Sequence, residues 1–186
     1  HVQVEAGIHT IGEAAWQHCN RLLIVQLPST VVCLQDGAFR RNYVLHTVTA
    51  PGCKYFGLWV FEECYALAQI GDQSTTINQL APQAQFRPRA FEKCSTLQQL
   101  NFERIEYDPT NRYRSIPEGC FFEAGIESLF LPADFNWMGP AACEHCKRLR
   151  SVDISQTEIS VHLCPLLAAA TDSAGQNDEA HWARRP

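Results

Sequence analysis

Cys143-Glu144-His145-Cys146 is the stretch of this chain that comes nearest to a chemical motif. Two thiolates and an imidazole would supply three zinc ligands, but a structural zinc site takes four, usually from a second such pair. The chain has no second C-x-x-C. Glu62-Glu63 and Glu103/Glu106 are carboxylate pairs, the residue type used in general acid–base work. As neighbours in sequence they read first as a solvated face. A nucleophile needs a base and an orienting group beside it, and no G-x-S-x-G elbow, phosphate loop or H-E-x-x-H is present. Arg40-Arg41 and Arg148/Arg150 are small cationic spots that read as solubilising. The expectation is a protein that is not an enzyme, with no catalytic residue, no metal site and no cofactor.

The elements around these residues explain them better. Six copies of one pattern run along the chain: an aromatic, a cysteine or small residue three places on, a leucine three further, then alternating apolar residues. They begin at Trp16-Cys19-Leu22-Val25-Leu27 and continue through Phe39-Asn42-Leu45-Val48-Ala50 and Phe61-Cys64-Leu67-Ile70. Phe91-Cys94-Leu97-Leu100-Phe102, Phe121-Ala124-Ile126-Leu129-Leu131 and Cys143-Cys146-Leu149-Val152-Ile154 follow. The aromatic column steps by 23, 22, 30, 30 and 22 residues, periods that mean a solenoid. Cys143 and Cys146 therefore occupy the aromatic and cysteine columns of the sixth copy, and core packing accounts for them. Trp16, Phe39, Phe61, Phe91 and Phe121 could stack nucleic-acid bases, but their place in the coil points them inward.

Ile11-Gly12-Glu13-Ala14-Ala15-Trp16, with Cys19, Leu22, Val25 and Leu27-Pro28, resembles the BspA-like leucine-rich repeat family. The resemblance covers about residues 1 to 155 and implies that family's solenoid scaffold. The fold class expected is an α/β repeat solenoid of leucine-rich-repeat type, with about six to seven coils and a parallel β-ribbon on the concave face. Each aromatic-to-leucine segment, such as Ala15 to Leu22, reads as one or two helical turns. The alternating stretch after it reads as a short strand, ended by Pro28, Pro51 or Pro132. One domain is expected over 1–167, with a partial coil at Val2 and Val4 and a degenerate cap from about 156. Residues 168–186 read as a disordered tail. The chain opens inside a repeat, as a piece of something longer would.

Composition narrows the partners. The net charge is −5 with only three lysines, which argues against nucleic acid, since phosphate binding wants clustered cations. No apolar run approaches the roughly 20 residues that cross a bilayer. Nine cysteines read mostly as reduced, packed thiols, because free cysteine behaves as a small hydrophobe. Their odd number and the lack of an Asn-x-Ser/Thr acceptor favour a reducing intracellular compartment over the cell surface.

The outward ribbon positions are Ile24 and Gln26, Thr47 and Thr49, Gln69 and Gly71, Gln99 and Asn101, Ser128 and Phe130, and Ser151 and Asp153, of which Ile24, Gln26, Thr47, Thr49, Gln69, Gln99, Asn101, Phe130 and Asp153 are expected to meet a partner. Extra residues enter both 30-residue steps at the same place, near Gln73 to Gln85 and Glu103 to Tyr113. They are expected to form one ridge that contributes Arg104, Tyr107 and Arg112 to the same surface. A protein partner on this surface is the leading expectation, with no small-molecule substrate. The alternatives are a structural subunit held by other subunits of a complex, and a cell-surface adhesion module of the kind the family resemblance implies.

Overall fold

The computed structural model describes residues 1–71, 79–81, 84–102, 114–131 and 135–153. Its strands are β1 (Val2–Gln3), β2 (Thr10–Ile11), β3 (Ile24–Gln26), β4 (Cys33–Leu34), β5 (Thr47–Thr49), β6 (Tyr55–Phe56) and β7 (Gln69–Gly71). They continue as β8 (Gln79–Leu80), β9 (Gln85–Phe86), β10 (Gln99–Phe102), β11 (Arg114–Ile116), β12 (Ser128–Phe130), β13 (Phe135–Met138) and β14 (Ser151–Asp153). Every pairing between them is parallel. The result is a β-solenoid of about five turns.

The first ribbon is the expected one, in register: Val2 lies beside Val25, Val25 beside Val48, and Val48 beside Ile70. It is not one seven-stranded sheet. The order β1-β3-β5-β7 ends at β7, and a second sheet runs β8-β10-β12-β14. β8 comes from the first insertion and packs against β7, with Leu80 buried in the core. This part of the insertion is therefore ribbon and core, not ridge. Leu80 gives the reason, since burying an apolar side chain stabilises by about 1.5–3 kcal/mol.

The expected helical turns are absent. Among the described residues there is no helix, and the α/β coil gives way to an all-β one. In the first coil Gln17 N–H donates to the Ala14 carbonyl (3.1 Å) and Leu22 N–H to that of Cys19 (2.8 Å), both three residues back. The N–H groups of Trp16 and His18 leave the coil, to Ala38 (2.9 Å) and Arg40 (3.0 Å). The third coil repeats this, with Phe61 donating to Ala90 and Glu63 to Glu92, both at 2.9 Å. An α-helix needs each N–H for the carbonyl four residues back, so donors committed to the next coil cannot build one.

Two left-handed residues bracket each position of the aromatic column, including Cys143 in the sixth copy. Ala14, Gly37, Trp59, Arg89, Gly119 and Ala141 precede it by two, with φ of 50–62°. His18, Arg41, Glu63, Lys93, Glu123 and His145 follow it by two, with φ of 54–59°. The charged and polar variety of the later column thus marks a bend as well as a wet surface. A β-branched residue is an outlier there, so Lys93→Val should destabilise by about 1–2 kcal/mol. Lys93→Gly should not, because the contact of Lys93 with Glu63, half-buried and 4.0 Å long, is at the limit of an ion pair and of little value. Urea unfolding of the two variants checks this.

A second ribbon, β2-β4-β6-β9, lies between the first ribbon and the next aromatic in every coil it spans. The short pair β11-β13 follows, with β11 against β9. Ile11, Leu34, Phe56, Phe86 and Ile116 turn inward from these strands. Between the ribbons Phe39, Phe61, Phe91 and Phe121 are wholly buried and stacked at 5.2, 5.5 and 5.7 Å. The cysteine column holds coil to coil. Cys64 donates to the Phe39 carbonyl (3.1 Å), Cys94 to Phe61 (3.2 Å) and Cys146 to Phe121 (2.9 Å). Asn42, a departure from the pattern in sequence, does the same job by donating to Trp16 and Phe39, both at 2.7 Å. The cap from about 156 and the tail over 168–186 lie outside the described residues.

Candidate functional site

The pleat sends alternate side chains of the first ribbon outward, and the parallel register aligns them in rows. Ile24, Thr47 and Gln69 stand side by side, as do Gln26 and Thr49. Gly71 continues the second row but is buried. Across the break, Gln99, Ser128 and Ser151 form another row, with Phe130 beside Asp153. Asn101 pairs with Gln79 of the inserted strand. Gln26, Gln69, Gln99, Ser151 and Asp153 are exposed, and Thr47, Thr49, Ser128 and Phe130 half-buried. Thr47 donates its hydroxyl to Gln69 Oε1 (3.3 Å), and His46 Nδ1 lies 3.0 Å from the same hydroxyl. The expected surface residues on described strands thus occupy alternate register positions of two successive sheets. Arg104, Tyr107 and Arg112, placed on the ridge by sequence reasoning, lie outside the described residues.

An apolar margin that sequence reasoning missed runs beside these rows. Leu23 is 53 % exposed, Tyr65 41 %, and Tyr43 and Val44 each 38 %. Tyr43 and Tyr65 stack at 5.6 Å, with His18 edge-on to Tyr43 at 6.4 Å. Loss of water, then the Glu63 carboxylate, pushes the Tyr65 phenol up. The signal was in the sequence: Tyr43 and Tyr65 each follow the cysteine column directly.

The charged pairs hold the turns together. Glu62 is buried against Arg40, whose guanidinium lies 5.2 Å over the Trp59 ring. Glu63 sits 3.3 Å from Arg41. Arg40 and Arg41 are thus paired across coils, which corrects their reading as solubilising spots, and each carboxylate has its own cation. Glu92, buried at 3.3 Å from Arg89, is pushed up by loss of water, which the nearby Arg89 opposes.

The second ribbon carries a hollow of about 460 Å³ lined by Cys33, Gln35, Asp36, Tyr55, Gln85 and Arg87. Arg87 Nη1 donates to both Asp36 oxygens, at 2.8 and 3.0 Å. Burial, then Asp36, pushes the Cys33 thiol up, which leaves it protonated and a poor nucleophile. Among the described residues no three His, Cys, Asp or Glu side chains gather as metal ligands. No helix among them is long and apolar enough to cross a membrane.

The family described as the BspA type leucine rich repeat region matches in six copies, over residues 1–103 and 75–163. No curated protein matches the sequence. Among solved structures, a leucine rich cell surface protein from Faecalibacterium prausnitzii A2-165 is similar at a TM-score of 0.54 and 17 % identity, over 86 % of this chain and 48 % of that one. The chain therefore spans about half the length of that protein. The T. pallidum leucine rich repeat protein is similar at a TM-score of 0.53 and 20 % identity, over 88 % of each chain. Likeness at these identities concerns the fold alone.

Proposed function

Because the chain belongs to the BspA-type leucine-rich repeat family, we propose that it is a non-enzymatic protein-interaction module that binds its partner on the face of the first ribbon. One observation carries this reading. Ile24, Thr47, Gln69 and Gln99, Ser128, Ser151 form aligned rows of uncharged side chains, polar in all but Ile24. Their amides and hydroxyls offer hydrogen bonds without the heavy desolvation of charges, as the centre of an interface requires. Phe130 and the exposed Leu23, Tyr43 and Tyr65 beside the rows supply apolar anchors, and aromatics dominate such contacts.

The double variant Gln99→Arg/Phe130→Glu should lose the partners that the wild-type chain captures from its native source, as read by mass spectrometry, with its urea midpoint unchanged. Tyr55→Arg on the second ribbon should keep them. Capture that survives the double variant would refute binding on this face.

A second reading, a module displayed on the cell surface, is supported by the described character of the Faecalibacterium protein. Protease shaving of intact cells, followed by detection of the released chain, tests it.

A further inference from the structure

Among the described cysteines, four buried ones contrast with Cys146. Cys53, Cys64, Cys94 and Cys120 are buried, and loss of water pushes their thiols up, to about 12 for Cys53 and Cys64 and strongly for Cys94 and Cys120. Since the thiolate is the reacting form, these four are inert. Cys146 is different. It is only half-buried, at the last described coil, and a hydrogen bond from the Cys143 thiol draws its pKa below the usual thiol value, against the opposing effect of burial.

The backbone sets the two sulfurs together. Cys146 N–H donates to the Cys143 carbonyl at 3.2 Å and so closes a four-residue turn through the left-handed His145 (φ 59°). Such a closure holds its end Cα atoms within about 7 Å, and a disulfide spans about 4.4–6.8 Å. No other coil offers this. Cys19, Cys64 and Cys94 have Trp16, Phe61 and Phe91 three residues before them, where the sixth coil has Cys143. The exchange of an aromatic for a thiol ends the stacked column and puts a second sulfur beside the first.

We propose that Cys143 and Cys146 form a reversible dithiol–disulfide site that reacts with hydroperoxides. The Cys146 thiolate attacks the peroxide, the O–O bond breaks, and the departing oxygen takes up a proton and leaves as water or an alcohol. Cys146 becomes a sulfenic acid. The Cys143 sulfur then attacks the Cys146 sulfur, an S–S bond forms, the S–O bond breaks, and the hydroxyl leaves as water with the Cys143 proton. Two thiols lose two electrons and the peroxide gains them. Oxidation also removes the S–H that ties the sixth coil to the Phe121 carbonyl at 2.9 Å.

The test treats the full chain with hydrogen peroxide, alkylates the remaining thiols and reads each cysteine by peptide mass spectrometry. The peptide holding Cys143 and Cys146 should lose two hydrogens and regain them with dithiothreitol, while Cys53, Cys64, Cys94 and Cys120 alkylate only after unfolding. In Cys143→Ser the product should stop at a Cys146 sulfenic acid, trapped by dimedone. Cys146→Ser should leave Cys143 reduced. Free thiols at both positions under peroxide that oxidises glutathione would overturn the proposal, as would a bridge from either residue to any other cysteine. Dimedone labelling of Cys19 or Cys33 as fast as of Cys146 would overturn it too.

Discussion

Phe91→Ala should lower the free energy of unfolding by about 3–5 kcal/mol, the cost of truncating a fully buried phenylalanine. Phe91 is wholly buried, and its ring stacks on Phe61 at 5.5 Å and Phe121 at 5.7 Å, with Phe56 and Phe86 at 6.0 and 5.6 Å. Truncation removes all four contacts at once. Position adds to the loss. The first ribbon breaks between β7 and β8 and the second between β9 and β11, so the Phe61 and Phe91 coils are joined by the β6–β9 pair and the Phe91 and Phe121 coils by the β10–β12 pair, each with the turn ladder and the aromatic column. In a repeat array, stability is roughly a sum of coil and interface terms, and Phe91 sits between two interfaces that each lack one ribbon pair. Urea unfolding should show the lower midpoint together with a broadened or split transition, as one half melts before the other. Phe39→Ala, set within the unbroken first sheet, should melt in one step. A Phe91→Ala transition as sharp as wild type and shifted by less than about 1 kcal/mol would refute the column's coupling role.

Gly125→Val should destabilise by about 1–3 kcal/mol or more, as overpacking does. The fifth coil is one residue short before Ile126, and the shortening pulls its corner onto the fourth. Gly125 N–H donates to Cys94 O at 3.1 Å, and a Cβ on Gly125 would lie 2.1 Å from Ser95 O and 2.7 Å from Ser95 C. Both are backbone atoms, so no rotamer change relieves the clash and the coils must part. Gly119→Ala is a fair contrast: its φ of +59° brings a left-handed strain, but its nearest neighbour is the flexible Arg89 side chain at 3.1 Å. Thermal melts of the two variants should rank Gly125→Val as the less stable. The reverse order would mean that the fourth and fifth coils are not in close contact.

The helix expected between aromatic and leucine shows how a correct pattern can carry a wrong secondary structure. Trp16, Cys19 and Leu22 recur every three residues, and an α-helix turns 3.6 residues per turn, so a strict spacing of three drifts off one helical face. A chain of turns closed three residues back keeps that spacing in line, as the bonds of Gln17 and Leu22 show. The second ribbon was legible in part: Ile11, Leu34, Phe56, Phe86 and Ile116 each stand five residues before the aromatic column. A single apolar residue per coil has no period of its own within the coil, so it did not announce a strand.

By itself the sequence determined the solenoid, the inward columns, the register of the first ribbon and the nearly uncharged residues at its outward positions, because each depends only on which side chains recur at which spacing. Tertiary structure alone decided where the backbone N–H groups of the turns find their acceptors, that Gln79–Leu80 joins the ribbon, and that Arg40 and Arg41 meet Glu62 and Glu63. Each of those choices joins groups about one coil apart in the chain, and only the stacking of coils brings such groups within hydrogen-bonding or ion-pairing distance.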